Sequence, residues 1–302
     1  MQKNTAVLII LAGGTCMSFV GLMMRLVDQA DGFQILFYRS AALSVMVALV
    51  ACLRLRAGPI AFLRRLDVAD LLMGLALSLA FCTYVFSMLT TSVASTLFIL
   101  SATPFLAAII GRLWIGEAVA PVAWAAMALA CLGVGLMIGD GLALGRTSGN
   151  LLALISAGFF ALMLVLARKS GKATVLGGTF LGGVFTMGIA AFAALALGGG
   201  LSASGYDLSI MLFMGAFTIG LGIALVTTGT PYVPAAEVSL LVLIESALGP
   251  VWVWVFLNEA MRTLEMVGGL LVLAAVAGVA VLVRRDDVPR ADPAAPQAAR
   301  RP

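Results

Sequence analysis

The chain has 302 residues, 62% of them apolar and only 11% charged, with a formal net charge of +4. Soluble domains carry roughly 25% charged residues, so a soluble globular class is excluded and an integral membrane class is implied. Cys16, Cys52, Cys82 and Cys131 all fall in apolar runs with no CxxC pair. They read as small buried apolar residues, not as disulfides or metal ligands.

The first apolar run begins directly after M-Q-K-N. L-A-G-G-T-C (11–16) has a faint likeness to a lipoprotein cleavage site, but Gly14 and Thr15 fit it poorly and a second span follows almost at once. The run therefore reads as an uncleaved membrane helix. Ten spans are expected, at about 5–25, 33–53, 68–89, 93–115, 120–139, 150–168, 175–197, 208–226, 232–257 and 264–283. Each is long enough to cross a bilayer as a helix. Breaker-rich connectors such as R-L-R-A-G-P, G-R-T-S-G-N and S-A-S-G-Y-D separate them. Asp67 and Asp70 suit the first turn of span three, and Asp207 the start of span eight. Pro104 and Pro250 are the two prolines inside spans.

With the N-terminus inside, fourteen of the Lys and Arg residues fall on the inner face; Arg25, Arg39, Arg146 and Arg262 fall on the outer side. The positive-inside rule then places both termini in the cytosol. The tail, 284–302, is rich in Pro, Ala and charge and is expected to be disordered.

Two 24-residue stretches correspond: A-S-T-L-F-I-L-S-A-T-P-F-L-A-A-I-I-G-R-L-W-I-G-E (94–117) and A-E-V-S-L-L-V-L-I-E-S-A-L-G-P-V-W-V-W-V-F-L-N-E (236–259). Each opens on a small residue, holds an internal proline and ends in a glutamate. The same offset, within one residue, lays Arg25 over Arg168. The chain thus reads as a five-helix unit written twice. The expected organisation is a first repeat at 1–139, an extracytoplasmic linker at 140–149, a second repeat at 150–283 and the tail. Five is odd, so the second copy enters the membrane from the opposite side. The fold class is an all-α membrane protein of ten helices in two inverted-topology repeats, an architecture that recurs in secondary transporters.

The paired proline-to-glutamate segments resemble the blocks of the drug/metabolite transporter superfamily, specifically the EamA type, over about residues 5–283. That resemblance implies a ten-helix bundle whose central cavity is lined mainly by spans 1, 3, 4, 6, 8 and 9. It implies carriage of small metabolites or drugs, often outward. One departure is visible. Ser246 stands where Pro104 has its counterpart, and the second proline is Pro250, so the break in span nine is expected one turn further out than the family pattern.

Glu245 lies near the middle of span nine, where a carboxylate costs about 2.5–3.5 kcal/mol on insertion scales. It matches the family's pre-proline glutamate and either binds a substrate cation or carries a proton, against a bland role as a polar tie between helices. Ser246 adjoins it. Glu237 either borders the same cavity or serves as a first-turn acid. Arg39 either snorkels outward or meets a carboxylate inside. Tyr84 needs a polar partner wherever it is buried; Phe160 forms a flat apolar wall or packs the core. Pro104 and Pro250 mark helix breaks, and Glu117 and Glu259 are rim residues suited to gate salt bridges. Trp114, Trp124, Trp252 and Trp254 suit interfacial belts, and the pairs Gly135/Gly139 and Gly178/Gly182 suit close helix contacts.

The chain has no histidine and lacks H-E-x-x-H, G-x-S-x-G and a P-loop. No cofactor, metal, nucleic acid or enzymatic role is expected. The expected partners are a small-molecule substrate and the lipid bilayer of the inner (plasma) membrane, with the chain a monomer or homodimer. A membrane enzyme or a channel without a recognisable motif is the alternative class.

Overall fold

The computed structural model describes residues 2–56, 58–116, 121–143, 145–172, 174–197, 199–233, 238 and 241–286. Glu117, Glu237 and the tail from 287 onward lie outside them. The regular structure among the described residues is all helical, with no strand. Among the described residues seven helices are long and apolar enough to cross a membrane: α1 (Lys3–Leu26), α2 (Gly32–Leu55), α3 (Val68–Thr90), α4 (Val93–Ile115), α6 (Thr147–Ser170), α7 (Leu176–Ala196) and α8 (Gly205–Gly229). The remaining elements are α5 (Pro121–Ala143), α9 (Ile244–Leu257) and α10 (Thr263–Asp286), within which shorter apolar stretches lie. A one-turn helix, Pro59–Leu63, interrupts the α2–α3 connection.

Local chemistry sets several of these boundaries. Asp31 caps α2 by accepting from the Phe33 and Gln34 amides, and Asp67 caps α3 in a reciprocal box with Asp70. Such caps satisfy backbone donors that a helix start leaves unpaired. Asp207 is placed differently from a simple cap. Ser204 caps α8, and the buried Asp207 carboxylate accepts from the amides of Asp28, Gln29 and Ala30 at 2.9–3.1 Å. It thereby anchors the α1–α2 connection to the start of α8.

Lys172, just past α6, donates to Asp67 at 2.8 Å and also to Asp70. The hydrogen bond from Lys172 holds the Asp67 carboxyl below its usual range. Burial pulls the Lys172 ammonium down, but the hydrogen bonds to Asp67 and Asp70 outweigh it and leave it raised. The signs are opposite at the two ends of the pH scale. The Asp67 contribution is present above the unfolded carboxylate pKa of about 4 and is lost as pH falls through its lowered value. The Lys172 contribution is present below the unfolded value of about 10 and is lost as pH rises through its raised value. Lys172→Met should therefore lower the melting temperature in detergent at neutral pH and much less at about pH 2. An equal loss at both would assign the effect to packing, not to charge.

The helices pack in a reciprocal pattern. α1 lies against α8 and α9, while α6 lies against α3 and α4. α2 packs on α7 and α8, and α7 packs on α2 and α3; α5 pairs with α10. Exchanging α1–α5 for α6–α10 reproduces each of these contacts. Glycine permits the closest approaches: a Cβ on Gly133 would lie 2.5 Å from the Gly268 carbonyl, and one on Gly268 2.6 Å from the Gly133 carbonyl. Gly178 and Gly182 face Met73 and Leu77 of α3, as their spacing suggests. Gly135 does not belong to this set, because a Cβ there would meet nothing within 4 Å. One turn of helix rotates by 360° in 3.6 residues, so Gly133 faces α10 and Gly135 faces away.

Candidate functional site

Both proline-bearing spans are broken, and the breaks meet. α4 is interrupted between Leu100 and Thr103, with Pro104 in the first turn of its second half. Proline lacks the N–H that would bond the carbonyl four residues back, which here is that of Leu100. The Thr103 hydroxyl donates to that carbonyl instead, at 2.5 Å. In span nine the break falls at Leu243, just before Glu245.

This corrects the expectation for span nine. Offset by 142 residues, Leu243 corresponds to Ser101, so the break sits at the position the family pattern gives and not a turn further out. Pro250 itself lies inside an unbroken helix, Ile244–Leu257. Pro250 withholds a bond from the Ser246 carbonyl, but the helix runs on through both residues, so the break at Leu243 is set by its surroundings and not by this proline. The Ser101 hydroxyl donates to Ser246 Oγ at 2.8 Å and joins the two breaks across the bundle.

A cavity of about 340 Å³ opens beside this junction. Its wall takes side chains from α1, α3, α4, α6, α8 and α9, the six expected spans, and also Arg39 of α2 and Val276 of α10. Glu245, Ser246, Tyr84, Arg39, Phe160 and Pro104 all line it. Most of the rest of the wall is apolar, including Leu97, Leu100, Leu164 and Ile219. Ser156 of α6 donates to the Ala80 carbonyl of α3 at 2.8 Å and ties two of the lining helices. Glu237 and Glu117 fall outside the described residues.

Arg39 neither snorkels nor pairs with a carboxylate among the described residues, so neither of its two expected placements is met. Its residue exposure is 0%. Its guanidinium lies over the Phe81 ring at 5.0 Å and the Tyr84 ring at 5.9 Å from the centroids. Among the described residues none of its three nitrogens has a hydrogen-bond partner, and the neighbouring Ser40 hydroxyl has none either. Snorkelling requires a path along the side chain to water, whereas this guanidinium points at the two α3 rings. Met214–Leu221 of α8 is a π-helical turn, and Gly215 within it lies against the Arg39 backbone. π-Turns inside α-helices commonly mark functional sites; composition carries no signal for one.

Pro250 and Glu259 lie away from this cavity. Glu259 accepts from Arg25 Nε at 2.7 Å. The same guanidinium donates to the carbonyls of Met88 and Thr91 at 2.7 and 2.8 Å. One arginine at the end of α1 thus holds the α3–α4 and α9–α10 connections together. Beside it, buried Glu265 accepts from Ser92 and Ser95 at 2.7 and 3.0 Å. Sequence reasoning missed Glu265, because a carboxylate in a first helical turn has a local explanation in the helix dipole. Trp252 is also not a belt residue. It stacks on Phe19 at 4.9 Å and donates to Ser18 at 2.8 Å.

A family model described as the EamA-like transporter family matches the chain twice, over residues 4–139 and 147–281. No curated protein matches the chain. A solved crystal structure with 18% sequence identity superposes with a TM-score of 0.67, over 93% of this chain and 99% of the other. At that identity the likeness concerns the fold.

Proposed function

Because the chain belongs to the EamA-like transporter family, within the drug/metabolite transporter superfamily, and is a multi-pass membrane protein, we propose that it is a secondary transporter working by alternating access around the 340 Å³ cavity. The observation that carries this reading is Glu245, an ionisable side chain on the wall of a largely apolar cavity between the two halves of the chain. Intramembrane carboxylates are costly and mark substrate or proton pathways. The reciprocal helix packing supports two five-helix repeats of opposite orientation, ten spans in all, so that exchanging their conformations moves the opening from one face to the other. The Arg25–Glu259 tie is then the closed gate of this conformation. The substrates are small metabolites or drugs: amino-acid-like, nucleobase- or vitamin-like, or organic cations. Transport runs outward, by proton coupling or exchange, in a monomer or homodimer.

The test is a ligand-stabilisation screen of the purified protein across metabolite classes, since a ligand of the folded state raises its melting temperature. Hits are then followed as tracer flux in liposomes. Saturable counterflow is expected; single-channel currents without it would place the protein among channels.

Orientation has its own test. With both termini cytosolic, a membrane-impermeant thiol reagent applied outside should label Thr147→Cys and not Gly58→Cys, each in a cysteine-free background. The opposite pattern would reverse the assigned topology.

A further inference from the structure

Arg39 poses a problem that the proposed carrier function leaves open. A guanidinium has five N–H donors and stays charged. Placing it in a fully buried position costs several kcal/mol unless its donors are met. Here the two aromatic faces of Phe81 and Tyr84 supply cation–π contact, which acts on the charge but satisfies no N–H donor in its own plane. Among the described residues those donors have no acceptor, and the residue, although covered in this conformation, borders the cavity.

We propose that Arg39 is the anion subsite of the cavity and that the substrate carries a single carboxylate on an apolar body. The proposal rests on the transport reading above and narrows it. Three features of the cavity select this chemistry. The guanidinium fork matches a carboxylate in a two-pronged hydrogen bond. One arginine facing a cavity that also holds Glu245 cannot neutralise a dianion, so phosphomonoesters and dicarboxylates are disfavoured. The apolar wall of Leu97, Leu100, Phe160 and Ile219 suits a hydrocarbon or aromatic body. A zwitterion meets both charged groups, its carboxylate at Arg39 and its ammonium at Glu245. A purely cationic substrate meets Glu245 while Arg39 repels it, so organic cations leave the substrate list.

Four probes of one skeleton separate these cases: hydrocinnamate, its neutral amide, phenylpropylammonium and the zwitterion β-phenylalanine. Their affinities are read from the shift in melting temperature of the purified full-length protein. Hydrocinnamate and β-phenylalanine should bind at least about tenfold more tightly than the amide, and the cation most weakly. Arg39→Met should remove the carboxylate preference without lowering the unliganded melting temperature, because an apolar side chain of similar length relieves a buried charge. Arg39→Lys should keep the preference for an anion in weakened form.

Equal stabilisation by hydrocinnamate and its amide in the native protein would overturn the proposal, whether or not the variants fold. So would a carboxylate preference that survives Arg39→Met, or no carboxylate-dependent stabilisation at all. Counterflow separates the two readings. Binding of hydrocinnamate through Arg39 without flux in liposomes upholds the subsite and removes the transport function. Flux of phenylpropylammonium with indifference to carboxylate removes the subsite and upholds transport.

Discussion

Glu245→Gln should abolish accumulation driven by a pH gradient while leaving counterflow of an ammonium-free substrate such as hydrocinnamate intact. Glutamine keeps the volume and hydrogen-bonding capacity of glutamate but cannot take up and release a proton. Glu245 stands in the first turn after the break at Leu243 and reaches the cavity wall, so a rearrangement of the break alters which face the carboxylate serves. Measuring both fluxes in the same liposomes separates the roles. For a zwitterion whose ammonium meets Glu245, affinity should fall about tenfold or more and counterflow should weaken with it, because a charge-assisted hydrogen bond contributes about 1.5–3 kcal/mol. If both fluxes and their pH dependence match the native protein, Glu245 is only a tie between helices, and the proposed function loses its carrying observation.

Gly215→Ala should be severely destabilising, and Gly135→Ala should not. A Cβ at Gly215 would lie 2.0 Å from the Arg39 carbonyl oxygen and 2.8 Å from its carbon. These are backbone atoms of α2, which cannot rotate aside as a side-chain tip can. Overpacking of this kind typically costs about 1–3 kcal/mol, and more where the neighbour is rigid. At Gly135 the new methyl meets nothing within 4 Å, and helix propensity favours alanine by about 1 kcal/mol. Thermal unfolding in detergent, together with the yield of monodisperse protein, should place the two variants on opposite sides of the native protein. Similar melting temperatures for the pair would show that α2 and α8 are not locked together through the π-turn. The consequence reaches the site, since that contact holds the Arg39 backbone where its side chain enters the cavity.

Both predictions depend on the same piece of construction, in which broken helices from two halves of the chain meet around charged groups. The proline in α4 and its freed carbonyl could be anticipated from T-P in an apolar span, because the rule that a proline withholds a bond is local. That Thr103 would meet the carbonyl of Leu100 follows from the same few residues. Span nine shows where locality ends. Pro250 points to a disturbance, but the observed break at Leu243 matches the partner helix, and the Ser101–Ser246 bond that joins the breaks links residues 145 apart in sequence.

The amino-acid sequence by itself determined that the chain is a helical membrane protein of EamA type, since hydropathy over about 20 residues and a repeated block are properties of the chain read along its length. It also singled out Glu245, because a carboxylate deep in an apolar run has no local explanation. The caps at Asp31 and Asp67 belong here too, for a cap is made within one turn of helix. Only the tertiary structure decided the fate of residues whose partners are distant. Arg39, two turns into a span, was compatible with an interfacial arginine until its full burial against the α3 rings was seen. Asp207 and Glu265 had sufficient local readings as helix-start acids and turned out to bind the α1–α2 connection and the start of α4. The physical reason is the same in each case. Hydropathy and helix geometry act over neighbouring residues, whereas the burial of a charge and the identity of its partner are set by which helices pack against it.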